Sequence, residues 1–161
     1  MSQDITIMDK AEVRKEYYWS GALRRETPYV NGFKHGVEKA YHDTGALWYE
    51  ILYVSGKVYG IRKEYYGSGA IYCETPYFDG KIHGIDKWYY ESGALSWTIP
   101  HVNGNKHGIE KRYYPTGDIY RETPYFDGKK HGIEKNYDKD NSNIHCLQLY
   151  DKGREVAFVK I

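Results

Sequence analysis

The sequence has only two cysteines among its 161 residues, Cys73 and Cys146. Two thiols make neither a disulfide framework nor a zinc quartet, so they read as unpaired and carry no redox role. Excess charge is missing as well: 23 Lys and Arg against 22 Asp and Glu leave a formal charge of +1. No long-range field would recruit a polyanion or an acidic membrane surface. Long apolar runs are absent too, and none approaches the ~18 residues of a spanning helix. The opening MSQDITIMDKAEV lacks the basic-then-apolar order of a signal peptide. The chain therefore reads as soluble and cytoplasmic. It holds no nucleophile motif, Walker loop, HExxH helix or CxxC pair, and no helix follows the GSG at 67–69. No catalytic residue, metal ligand or cofactor is expected, and the chain does not read as an enzyme.

What is abundant is tyrosine, at 19 residues, and glycine, at 17. Tyrosine favours strands, and glycine supplies the positive φ of tight turns. The two are arranged in a repeat of 24 residues. Residues 13–36 read VRKEYYWSGALRRETPYVNGFKHG and residues 109–132 read IEKRYYPTGDIYRETPYFDGKKHG, with copies at 37–60, 61–84 and 85–108 between them. A sixth copy begins at IEKNYD, 133–138, and decays; with one inserted residue its KG at 152–153 falls where the others have NG, DG or SG. The organisation is an N-terminal cap segment (1–12), five repeats (13–132), and a degenerate sixth repeat with a C-terminal cap (133–161), all one domain.

Each copy carries two turn signals about 12 residues apart, SG or TG at Gly21 and its equivalents, and NG, DG or SG at Gly32 and its equivalents. The fold class is all-β: an elongated single-layer antiparallel meander of about six tandem hairpins, with roughly 11 or 12 strands. The prolines Pro28, Pro76 and Pro124 cannot donate to a ladder and are placed near a bulge or strand end. If the SG or TG pair is a two-residue turn, Lys15 lies opposite Glu26, Lys39 opposite Glu50, Lys63 opposite Glu74 and Lys111 opposite Glu122. Such pairs contribute ~0.2–1 kcal/mol each. The same register sets Lys87 against Thr98, Trp88 against Trp97 and Arg112 against Arg121.

The sequence of NG or DG turn, K-x-HG, alternating strand, YY and SG turn resembles the bacterial branch of the MORN repeat family over residues 13–138. Tyr59 in place of His and His101 in place of Tyr depart from the pattern, as does the sixth copy. The resemblance implies a hairpin-repeat fold and work through binding, since members of that branch include antitoxins and eukaryotic relatives are associated with scaffolding and membrane tethering.

The histidines His35, His83, His107 and His131 form a column, but equivalent residues two strands apart lie ~9–10 Å from each other. Ligands of one zinc ion sit within ~4 Å, so neighbours cannot share a metal. The column reads as structural. The glycines that follow, such as Gly36, are expected to leave bare backbone for a neighbouring aromatic ring. Variation is concentrated at four repeat positions, the fourth, seventh, twelfth and thirteenth, and all four tryptophans occupy them: Trp19, Trp48, Trp88 and Trp97. Tyr49, Tyr72, Arg112, Tyr120 and Arg121 share those columns. Trp and Arg are enriched where proteins bind each other, and a constant frame does not require them there; local packing is the rival use.

The expected partner is another protein, a toxin, effector or nuclease, occluded by these nine residues. An antitoxin or immunity-type inhibitor and an anti-CRISPR-like inhibitor of a host defence nuclease fit equally. A scaffold or membrane tether is the alternative class. Nucleic acid is disfavoured because Lys is cancelled by Glu across the strand, and self-association is open to a sheet with so much apolar surface.

Overall fold

The computed structural model describes residues 10–139 and 143–161; the expectations for residues 1–9 of the N-terminal segment lie outside it. The chain runs β1 (Ala11–Tyr17), β2 (Leu23–Val30), β3 (Phe33–Lys34), β4 (Gly36–Tyr41), β5 (Leu47–Val54) and β6 (Lys57–Tyr65). It continues through β7 (Ile71–Phe78), β8 (Lys81–Ile82), β9 (Gly84–Tyr89), β10 (Leu95–Val102), β11 (Asn105–Lys106) and β12 (Gly108–Tyr113). The last elements are β13 (Ile119–Phe126), β14 (Lys129–Lys130), β15 (Gly132–Tyr137), β16 (Ile144–Asp151) and β17 (Arg154–Lys160). All pairings are antiparallel between sequential neighbours, which makes one open meander. β3, β8, β11 and β14 are two-residue starts of strands that resume after a His–Gly step, so the described residues form 13 full strands, one or two more than the turn count predicts.

The NG, DG and SG turns are two-residue loops with positive φ at both central residues, 51° at Asn31 and 83° at Gly32. That is the type I′ geometry whose twist matches the flanking strands. From the second copy on, each turn glycine also donates its N–H to the preceding copy, as Gly56 does to the Lys34 carbonyl at 2.8 Å.

The other turn differs from the expected two-residue loop. Gly21 N–H bonds the Tyr18 carbonyl at 3.0 Å and Tyr18 N–H the Ala22 carbonyl at 2.9 Å, so three residues form the tip. A bulge at Arg24 then restores the register, because Tyr17 pairs with Leu23 but Glu16 pairs with Arg25. The two irregularities cancel. Lys15–Glu26, Lys39–Glu50, Lys63–Glu74 and Lys111–Glu122 are therefore paired as the sequence predicts, and so are Lys87–Thr98, Trp88–Trp97 and Arg112–Arg121.

Of the four Lys–Glu pairs, Lys111–Glu122 closes to an ion pair, at 3.4 Å. The glutamates are held instead by tyrosine: Tyr41 donates to Glu26, Tyr65 to Glu50, Tyr89 to Glu74 and Tyr137 to Glu122, at 2.8–2.9 Å. Burial, then the neighbouring carboxylate, pushes each of these phenols up to about 12. The second tyrosine of the YY pair reaches forward, Tyr18 to the Tyr41 carbonyl (2.8 Å), Tyr66 to Tyr89 (2.7 Å) and Tyr90 to Tyr113 (2.6 Å). In the third and fourth copies one ring of the pair ties the copy backward and the other ties it forward.

The recurring glycine after histidine has a different neighbour from the aromatic ring expected. A Cβ on Gly36 would stand 2.9 Å from Pro28 Cγ, and on Gly84 3.1 Å from Pro76 Cγ. The proline ring packs on the bare backbone. Lacking an N–H, Pro28 offers only its carbonyl, which accepts from His35 N–H at 3.0 Å, and the partner strand breaks there. The histidines tie consecutive turns: His35 Nδ1 accepts from Ser55 N–H (3.4 Å) and His83 Nδ1 from Asn103 N–H (3.5 Å).

Candidate functional site

Alternation along the strands gives the sheet two unlike faces. One displays Val13, Val37, Ile61, Ile85, Ile109 and Ile133, each 45–58% exposed. The other is covered, with Thr27, Thr75 and Thr123 at 6% or less and Glu38, Asp86, Glu110 and Glu134 at 6% or less.

Buried carboxylates need partners, and this face supplies them. Glu38 accepts from Thr27 Oγ1 (2.8 Å), Lys34 Nζ (2.6 Å) and Tyr49 Oη (3.0 Å). Burial alone would raise its pKa, but the bonds from Lys34, Thr27 and Tyr49 outweigh it and hold the carboxyl below its ordinary value. Glu134 repeats the arrangement with Lys130 and Thr123, and its pKa is lowered in the same way. Asp86 is held by Thr75 Oγ1 (2.7 Å) and by Trp88 Nε1 (2.9 Å). The cover is made of long cations lying over aromatic rings, Lys34 over Tyr53 at 4.6 Å and Lys106 over Tyr125 at 4.8 Å.

Beside these acids, two residues further along each strand, a cross-strand row crosses the sheet on the same covered face. It starts Glu16–Arg25–Ala40–Tyr49, passes Glu64 and Cys73, and reaches Trp88–Trp97–Arg112–Arg121. It ends at Asn136, Cys146 and Lys160. Five of the nine residues singled out from the sequence, Tyr49, Trp88, Trp97, Arg112 and Arg121, are members of this row. The bulge at the twelfth repeat position swings three more against it. Trp48 stacks edge-on to Tyr49 at 5.3 Å, Tyr72 lies edge-on to Trp88 at 5.0 Å, and Tyr120 sits close enough to Arg112 to help raise its pKa. Trp19 stands apart at a turn tip, fully exposed.

The row's chemistry changes along its length. Near its start Arg25 forms an ion pair with Glu16. In the middle Arg62 bonds Glu64, and the buried Cys73 thiol, pushed up to about 12 chiefly by burial, donates to Glu64 at 3.4 Å. Further on Trp88 and Trp97 have ring centroids 5.9 Å apart, and the Arg112 guanidinium lies 4.5 Å over the Trp97 ring. Trp97 Nε1 and Arg121 Nε are buried without acceptors. The acid column beside the row leaves no signal in the sequence, because Glu38, Asp86 and Glu110 share their repeat position with Arg14 and Arg62 and look like ordinary surface charge.

Among the described residues no group of three His, Cys, Asp or Glu is placed to hold a metal ion. Nor is any helix long and apolar enough to cross a membrane. A family profile described as MORN repeat variant matches residues 34–55 and 106–127. No curated protein matches the chain. The two matched segments occupy the same phase of the 24-residue repeat, each running from the lysine before His–Gly to the next I′ turn.

Proposed function

Starting from an array of MORN-type repeats, a kind of repeat involved in protein or membrane binding and not an enzyme family, we propose that this chain is a non-enzymatic inhibitor that binds and occludes a partner protein in the cytoplasm. The observation that carries the reading is the convergence of eight variable aromatic and arginine residues on one row of one face, while the constant residues of the repeat tie copy to copy. Structural tyrosines and histidines spend their polar atoms inside the array. The row keeps Trp and Arg side chains half-exposed, a combination enriched in protein interfaces. An antitoxin, an immunity protein and an inhibitor of a defence nuclease would all use such a row to cover a partner's working surface.

The test is affinity capture with the full chain and with Trp88→Ala/Trp97→Ala. Recovery of one stoichiometric protein by the parent and its loss with the folded double variant is the expected result. Equal recovery by both, or binding to phospholipid vesicles that survives the double variant, would replace the inhibitor with a tether.

A further inference from the structure

The fourth and thirteenth repeat positions face each other across the hairpin, and the first and fifth copies fill that pair differently. In the first copy it is Glu16 and Arg25, joined as an ion pair. In the fifth it is Arg112 and Arg121, two arginines paired directly across the strands. Like charges so placed destabilise a sheet, by up to ~1 kcal/mol relative to neutral pairs. The acids near them are shared with other cations. Glu110 accepts from Arg112 Nε at 3.2 Å but is also held by Lys106 at 2.8 Å. Glu134, whose carboxyl Arg121 helps to hold ionised, is already bonded by Lys130 and Thr123. Arg121 Nε, like Arg25 Nε, is buried without an acceptor, but Arg121 lacks the ion pair that Glu16 gives Arg25, and Trp97, next along the row, lies under Arg112.

We infer that an acidic side chain of the bound protein inserts between Arg112 and Arg121 and there plays the part that Glu16 plays for Arg25. The occupant is a Glu- or Asp-rich segment of a protein, running along the row with its aliphatic stems against Trp97 and Trp88. A carboxylate suits two guanidinium forks geometrically, since each can bond it bidentately. The inference rests on the inhibitor reading and adds to it the chemistry of the partner's contact segment.

The probe is poly-L-glutamate of about 20 residues, titrated into the full-length chain at low ionic strength and followed by the indole N–H resonance of Trp97. The comparison set is Arg112→Gln/Arg121→Gln, an open-side control Lys129→Gln/Lys152→Gln, and single-stranded oligothymidylate of the same length. The expected result is a saturable shift of the Trp97 signal, weakened about tenfold or more in the arginine variant and unchanged in the lysine control. Equal weakening in the control would overturn the site, and tighter binding of the oligonucleotide would overturn the acidic protein segment in favour of nucleic acid. Failure of poly-glutamate to bind, while capture of a protein still depends on Trp88 and Trp97, overturns this inference alone. Loss of both removes the inhibitor reading with it.

Discussion

The second repeat and the first are built on the same 24 residues, yet one strand is broken and the other is not. In the first, Pro28 faces the His35–Gly36 step, and the strand splits into β3 and β4. In the second, Leu52 takes the proline's place and Tyr59 the histidine's, Leu52 pairs with Tyr59, and β6 runs unbroken from Lys57 to Tyr65. The positive φ survives at Gly60, 73° against 110° at Gly36, but the crowding does not, since the nearest atom to a Cβ there is Leu52 Cδ2 at 3.9 Å. Even the tie to the next turn is kept by other means: Tyr59 Oη donates to Asp79 at 3.3 Å where His35 accepts from Ser55. The missing proline N–H thus causes the strand break. The glycine is required twice over where proline is present and only once where it is not.

The largest expected effect follows from that difference. Gly36→Ala must accommodate both a left-handed φ and a methyl 2.9 Å from Pro28, and should cost ~2–4 kcal/mol in urea unfolding. Gly60→Ala faces the φ alone and should cost ~1 kcal/mol. Equal losses would show that the proline contact is irrelevant. Next, Leu52→Pro should cost ~1–3 kcal/mol by removing a ladder donor. Adding Tyr59→His should return part of that loss, since it rebuilds the broken arrangement of the other copies; a double-mutant cycle with no coupling would refute the account.

Smaller effects belong to the tyrosine ties. Tyr65→Phe gives up a bond to Glu50 and should cost ~1 kcal/mol. Tyr113→Phe should be near neutral, because the equivalent acceptor one copy back is Thr98 and Tyr113 makes no such bond. Phenols whose folded pKa is raised stabilise the fold below their unfolded value near 10 and lose that contribution as pH climbs toward 12. Stability should therefore fall from about pH 10 to 12, less steeply in Tyr65→Phe/Tyr89→Phe than in the parent. Tyr59→Phe loses only an exposed and long contact and is expected within ~0.5 kcal/mol of the parent by the same measurement.

The fold was legible in the sequence because its signals are local and repeated. Turn dipeptides set strand lengths, and the Lys–Glu columns set the register, which survived even though the SG loop has three residues at its tip and a bulge beyond it. The bulge was not legible. It leaves no residue signature of its own, and it is what brings Trp48, Tyr72 and Tyr120 beside the row. The row itself was half legible: the variable columns named its members, but only the pairing of Cys73 with Trp88 and of Trp97 with Arg112 joined them across copies. The role of the glycine after histidine was misjudged, since proline and glycine are eight residues apart in sequence and nothing local says that one rests on the other.

The ties between copies reach one unit and stop. Tyr41 bonds 15 residues back, Tyr18 bonds 23 residues forward, and the turn at Gly56 bonds 22 residues back. A copy therefore recognises only its two neighbours, and excision or duplication of 24 residues leaves every junction with a partner it already knows. Length becomes a dial that can be turned in steps of two strands, each adding ~10 Å of row, while the frame needs no redesign. Reach along a partner and choice of partner can then vary independently, the first by copy number and the second by which side chains occupy the row.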